Sequence, residues 1–217
     1  MRTLFLIGTL LLTTVKAEAE TVIEVLAVEY PPFTTAKVTG NGLSFRLLKQ
    51  HLKEVDKLSL EPLFLPPARL QQRIKSNNWC FSFYPVGKAV ESKFVALADR
   101  TFRIGLFFKE DDPNLHWQSL EQLAGYRVAI LRSDRSSQLY DRFIKAGLSP
   151  VFVDEVEQGL KMLQLNRVDA ALGDEHLRNF VGLGLNNLEG IKFADTPLFE
   201  TQIGVFVNLN CPHADLL

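Results

Sequence analysis

Segments of strand length alternate with segments of helical periodicity along nearly the whole chain, and the cycle is run through twice, which restricts the fold more than any other feature of the sequence. Thr21 to Glu29 alternates in polarity and is rich in Val and Ile, which predicts a strand stopped by Tyr30-Pro31-Pro32-Phe33. Beyond the Gly40-Asn41-Gly42 turn, Phe45, Leu48, Leu52 and Val55 recur at helical spacing. Leu58 to Leu65 reads as a second strand, Pro66 and Pro67 open a helix through Ala68, Leu70 and Ile74, and Trp79 to Tyr84 reads as a third strand. The first group is therefore β-α-β-α-β.

A second group follows Arg103 to Phe108, a strand-like segment ending in Lys109-Glu110-Asp111-Asp112-Pro113-Asn114, whose composition suits a linker or hinge. Ser119 and Gln122 have the spacing of a capping box before a short helix that stops near Gly125. Arg127 to Leu131 reads as strand, Ser136 to Gly147 as helix and Val151 to Val153 as strand. Asp154 with Glu157 predicts the cap of a helix through Leu160, Met162 and Leu163. Asp169 to Gly173 reads as strand, Asp174 to about Phe180 as helix, and Ile191 to Ala194 and Ile203 to Asn208 as closing strands. Two such groups imply an α/β architecture of two lobes with largely parallel sheets and right-handed crossovers. Ligands of such sheets gather at the carboxyl ends of the strands, here Glu29 to Phe33, Ser82 to Pro85, Leu131 to Arg135 and Gly173 to Asp174.

The first nineteen residues follow a different rule. One Arg precedes an apolar run from Leu4 to Leu12, and Ala17-Glu18-Ala19 supplies small residues before a cut, the form of a secretory signal. Nine apolar residues are too few to cross a bilayer as a helix, which takes about 20. Removing Arg2, Lys16 and Glu18 from 24 basic and 25 acidic residues leaves 22 and 24, a net charge of −2 for the exported chain. With its basic residues dispersed, the chain has no field able to hold a phosphate backbone, so nucleic acid is not an expected partner. Export also governs the two cysteines, Cys80 and Cys211. Neither has the spacing of a metal ligand or a lipoprotein Cys, and in an oxidising compartment they either pair or stay buried as free thiols.

Catalytic motifs are scarce. Gly182-Leu183-Gly184 lacks the third glycine and the strand-to-helix setting of a dinucleotide fingerprint, and His51, His116, His176 and His213 are too widely spaced to share a face as metal ligands. Three segments carry binding chemistry instead. Tyr30 and Phe33 stand in a rigid loop that presents flat apolar rings, or else form a plain core turn. Ser133-Asp134-Arg135-Ser136-Ser137 precedes a helix, so its free amides and the Arg135 guanidinium suit an anionic group, or its hydroxyls simply cap the helix. Asn166 to Asp174 delivers the Asp174 carboxylate to a strand end, where it pairs with a ligand ammonium or caps the following helix.

The signal segment, Glu29-Tyr30-Pro31-Pro32-Phe33, Gly42 to Leu52, Ser119 to Leu139 and Asn166 to Asp174, taken in order, resemble the family-3 extracellular solute-binding proteins, the periplasmic receptors of polar amino-acid ABC importers. The resemblance covers nearly all of the exported chain. It implies a two-lobed periplasmic-binding-protein-like (type II) fold, a "Venus flytrap" with a hinge and an interlobe cleft, its crossing strands near Ile104 to Phe108 and Ile203 to Asn208. Residues 1–19 would be the signal peptide, 20–106 plus 205–217 lobe I, and 107–204 lobe II. Tyr30 matches the family's stacking aromatic, Arg135 lies in the loop that offers donors to the ligand, and Asp174 matches the carboxylate that takes the α-ammonium. Phe33 and Tyr84 are expected as apolar or stacking contacts and Ser133 as a partner of an anionic group.

Two departures accompany the resemblance. The family's first-lobe Arg, in a Thr-x-x-Arg stretch, binds the ligand α-carboxylate, whereas Lys88-Ala89-Val90-Glu91-Ser92-Lys93 stands here with Glu91 near the Arg position. Either Lys88 or Arg135 replaces that clamp or the ligand is not an ordinary amino acid. The family also continues with helices over the first lobe, whereas this sequence stops at His213-Ala214-Asp215-Leu216-Leu217, and a Cys80–Cys211 bond would tie that short tail down. The expected protein is a monomeric periplasmic receptor of a small polar solute, without catalysis, metal or cofactor, working with an ABC permease. The same scaffold also resembles periplasmic cyclohexadienyl dehydratases, for which Glu91 would be the first acid–base candidate, and receptors that feed a sensor kinase.

Overall fold

The computed structural model describes residues 20–87, 90–133, 135, 137–177 and 189–217. Nine strands and four α-helices are found among them: β1 (Thr21–Ala27), α1 (Leu43–His51), β2 (Leu58–Phe64), α2 (Pro67–Lys75), β3 (Phe81–Ser82), β4 (Ser92–Lys109), β5 (Arg127–Leu131), α3 (Gln138–Lys145), β6 (Ser149–Val153), α4 (Val156–Gln164), β7 (Ala170–Asp174), β8 (Ile191–Phe193) and β9 (Phe199–Asn208). The strands form one sheet in the order β2-β1-β3-β9-β4-β7-β5-β6, with β8 also on β4.

From either end the sheet follows the same plan. β1 pairs in parallel with β2 and β3, and β5 pairs in parallel with β6 and β7. Between these groups β4 and β9 run antiparallel to each other, β9 against β3 and β4 against β7. Half of the pairings are thus antiparallel, which corrects the expectation of largely parallel sheets. The two strands passing between the groups enter each one against the direction set by its β-α-β crossovers, and only an antiparallel ladder can accept them there. Their pairing runs from Ser92 with Asn208 to Ala96 with Gly204, breaks, and resumes from Thr101 with Gln202 to Ile104 with Phe199. That irregularity lies between the part of β4 beside the first group and the part that goes on to pair with β7.

Each lobe buries both faces of its sheet, the condition that near-continuous apolar strands require. Alternation along β1 sends Ile23, Val25 and Ala27 toward Phe45, Leu48 and Leu52, and sends Leu26 and Val28 toward Leu70 and Ile74 of α2. In the second lobe Val128 and Ile130 meet Phe143 of α3, while Ala129 meets Val156, Leu160 and Leu163 of α4. Closing the first lobe, Cys80 and Cys211 form a disulfide across 131 residues of sequence. Behind it the tail packs Ala214, Leu216 and Leu217 against the Phe45 cluster, and Lys93 Nζ donates to the Leu217 carbonyl at 2.5 Å.

Several local expectations change. Strand β4 begins at Ser92 rather than Arg103, because it pairs with β9 on both sides of the charged Asp99-Arg100 stretch that interrupts the apolar pattern. Only Phe81 and Ser82 of the Trp79 to Tyr84 segment are paired. The helix after Gly42 ends at His51, before Val55. The N-cap of α4 is Glu155, with no side-chain cap, since Asp154 is engaged by Arg132 at 2.8 Å. The Ser119–Gln122 pair does form its box, with the Gln122 amide oxygen accepting from Gln118 N at 2.8 Å and Ser119 N at 3.5 Å, ahead of a 3₁₀ turn. Asp174 closes β7 and residues 175–177 form a turn rather than the first part of the expected α-helix, whose remainder, with Gly182 and Gly184, lies outside the described residues.

Candidate functional site

The carboxyl ends of β1, β3, β5 and β7 face the junction of the lobes. After β1 the chain folds back on itself: Tyr30 N donates to Thr34 O at 2.7 Å, and Phe33 N and Thr34 N both donate to Tyr30 O at 3.0 Å. Helix α1 then anchors the loop from outside. Its first amides, Leu43 N and Ser44 N, donate to Pro32 O at 3.1 Å and Phe33 O at 2.9 Å. This approach needs glycine at the N-cap, because Gly42 has φ 97° and a Cβ there would lie 2.4 Å from the Phe33 oxygen. The sequence Gly-Leu-Ser at the start of α1 is therefore what fixes the Tyr30 loop.

Held this way, Tyr30 packs against the core of each lobe, a position shared with Leu131. Phe33 is buried, stacked on Phe102 with ring centroids 4.6 Å apart and 6.1 Å from Tyr30, so it supports the loop rather than lining an open surface. Asp174 is completely buried at the end of β7. Its Oδ1 accepts from His176 N at 2.9 Å, while its Oδ2 is buried with no hydrogen-bond partner. Burial raises the carboxyl pKa to about 6, and the His176 amide and charge offset part of that rise. Burial, with the Asp174 charge second, also pushes the Tyr30 phenol well above its ordinary value, so the two groups lie within electrostatic reach.

Tyr84, buried at the β3 end, donates its hydroxyl to the Arg132 carbonyl at 2.6 Å and accepts from Gln71 Nε2 at 3.0 Å. Ser133 is half-buried with its Oγ 3.4 Å from Ser137 Oγ, and Ser137 caps α3 by accepting from Tyr140 N at 3.3 Å. Arg135 is exposed on the turn before α3. The structure thus brings Tyr30, Tyr84 and Asp174 to the junction of the lobes, whereas Arg135 stands in solvent. Lys88, the other clamp candidate, lies outside the described residues, and Glu91 is exposed with its carbonyl accepting from Leu209 N at 3.1 Å.

Sequence reasoning passed over two features. Glu29, next to Tyr30, has one carboxylate oxygen accepting from Ala36 N at 2.8 Å and the other buried without a partner. Lys37 reaches from the β1 loop to Glu157 at 3.3 Å and Glu155 at 3.8 Å on the α4 side. No spacing rule could pair residues 120 apart, although Lys37 stands in the same strand-end loop as Tyr30. Elsewhere, an open hollow of about 340 Å³ is lined by Lys109, Asp112, Tyr126, Asn166 and Asp169, at the amino end of β7 opposite Asp174. Of its acids, Asp112 is engaged by Tyr126 and Asn114 and Asp169 by Arg127, and Asp111 also lines it. Among the described residues no group of three or more His, Cys, Asp or Glu could hold a metal ion.

No family model matches the sequence, and no curated protein matches it. Solved structures do. The GluR0 ligand-binding core from Nostoc punctiforme, in complex with L-glutamate, superposes with a TM-score of 0.68 at 18% identity, over 89% of this chain and 88% of that one. The arginine-bound form of truncated ArgBP from T. maritima gives 0.68 at 18% identity, covering 90% and 91%. The substrate-binding protein of an amino acid ABC transporter gives 0.65 at 16% identity, covering 90% and 89%. At these identities the likeness shows the fold: two lobes of the type II periplasmic-binding-protein kind, joined by two strands.

Proposed function

We propose that this chain is a periplasmic solute receptor that captures a small polar, amino-acid-like ligand between its lobes and presents the closed form to an ABC permease. The observation that carries the reading is the fully buried Asp174 carboxylate, whose Oδ2 has no hydrogen-bond partner beside Tyr30. A buried charge without a partner is unfavourable by several kcal/mol, on the order of what a ligand ammonium placed there would return. Tyr30 then supplies the apolar wall, with Phe33 behind it and Tyr84 along the cleft, and Ser133 receives the ligand's anionic end from the loop before α3, with Arg135 reaching in from the exposed turn beside it. Capture works because a solute touching both lobes stabilises the closed arrangement by its differential affinity for it.

The reading takes residues 1–19 as the export signal, 20–106 with 205–217 as lobe I and 107–204 as lobe II, in a monomer. Binding without catalysis agrees with the neighbours in fold, which are a ligand-binding core and substrate-binding proteins. Thermal-shift screening against amino acids, organic acids and polyamines identifies the ligand, since a molecule that binds only the folded state raises the melting temperature. Calorimetry on Asp174→Ala should then show at least a hundredfold weaker binding of an amine ligand by a chain that still folds. Unchanged affinity removes Asp174 from the site and the reading with it.

A further inference from the structure

Four contacts join the lobes directly, protein to protein. The Tyr84 hydroxyl, on the lobe I side, donates to the Arg132 carbonyl at the end of β5 at 2.6 Å. Gln71 Nε2 of α2 donates back to the same hydroxyl at 3.0 Å, which fixes its lone pair and turns its proton toward Arg132. On the α4 side, Lys37 of the β1 loop meets Glu157 at 3.3 Å and Glu155 at 3.8 Å. Glu157 is the better partner because its side chain is only 12% exposed and is also met by Lys161 at 3.4 Å. Tyr30 and Leu131 lie in the apolar contact between the two cores.

Each polar clasp has its lobe II half anchored by other bonds. Arg132 is held by Asp154 at 2.8 Å and lies over the Phe152 ring at 5.7 Å, and Arg132 N donates to Val153 O at 2.8 Å, so the carbonyl that Tyr84 meets belongs to a rigid segment. We infer that Tyr84–Arg132 and Lys37–Glu157 form a two-point clasp that holds the cleft shut in the ligand-free protein, making the closed form a substantial part of its resting population. The ligand then enters through the open fraction of the population rather than finding every cleft open. This inference uses the fold and the cross-lobe contacts alone, so it stands or falls independently of what the cleft binds.

The test is single-molecule energy transfer between dyes on Gln72→Cys in α2 and Lys145→Cys in α3, both exposed positions, in the full exported chain with its disulfide intact and no solute added. Tyr84→Phe removes only the hydroxyl from a buried ring, and losing one such hydrogen bond should raise the ratio of open to closed molecules about fivefold. Lys37→Met, on an exposed side chain with little risk to folding, should raise it about twofold. The two effects should multiply in the double variant, since the clasps share no residue. A parent protein already mostly open, or a ratio that neither variant moves, overturns the clasp.

Discussion

Asp174→Asn separates the charge of this carboxylate from its shape. The ordinary value for the group is 3.8 and the folded one about 6, a difference of about two units, or on the order of 3 kcal/mol. Between those two pH values the folded chain holds a proton that the unfolded chain has released. The stability contributed by the neutral acid is therefore complete below about pH 4, declines as pH rises through 6, and is gone above. Asn keeps the acceptor for His176 N and has no such dependence. Urea denaturation at pH 4 to 8, followed by the fluorescence of buried Trp79 and Trp117, measures both proteins. The stability of the variant minus that of the parent should grow by about 2.5 kcal/mol across that range, with half of the change reached near pH 5 and a level difference above about 6. Taking the difference cancels titrating groups that do not couple to Asp174, and a fixed effect of the new amide only offsets it by a constant. Two curves that stay parallel within about 0.5 kcal/mol refute the claim that Asp174 is a desolvated charge.

Two more outcomes follow from local geometry. Replacing Cys80 and Cys211 together by Ser releases a 131-residue closure, about 5 kcal/mol in the chain-entropy model, and should lower the urea midpoint sharply; a midpoint equal to that of the oxidised parent would show that the bond adds nothing. Gly42→Ala drives a Cβ to 2.4 Å from the Phe33 oxygen at φ 97°, and should lower the melting temperature by an amount corresponding to more than about 1 kcal/mol, an effect that a variant as stable as the parent would disprove.

The lobes and helices were legible where periodicity was strong. β5 was read at its observed bounds, and α2 from Pro67 onward, since the rigid ring at the first helical position marks the start without tertiary help. The first half of β4 was hidden by Lys93, Asp99 and Arg100, because what makes Ser92 to Ala96 a strand is the arrival of β9 more than a hundred residues later. Direction was hidden for the same reason: spacing along a chain gives the period of a strand but not its sense beside a distant neighbour. At the site, Tyr30 and Asp174 could be named from strand-end logic. Their depth could not, nor could Tyr84's engagement with the Arg132 carbonyl, since a backbone acceptor leaves no trace in residue identity.

The position of β9 has a consequence for biogenesis. It lies between β3 and β4, pairing with Phe81 and Ser82 on one side and with Ser92 to Ala96 on the other. Until Gly204 to Asn208 emerge, both of those segments carry bare edges, which invite pairing with another chain. The N-terminal half thus stays incomplete until Gly204 to Asn208 are made, so a chain exported as proposed above would not lock before that stretch emerges.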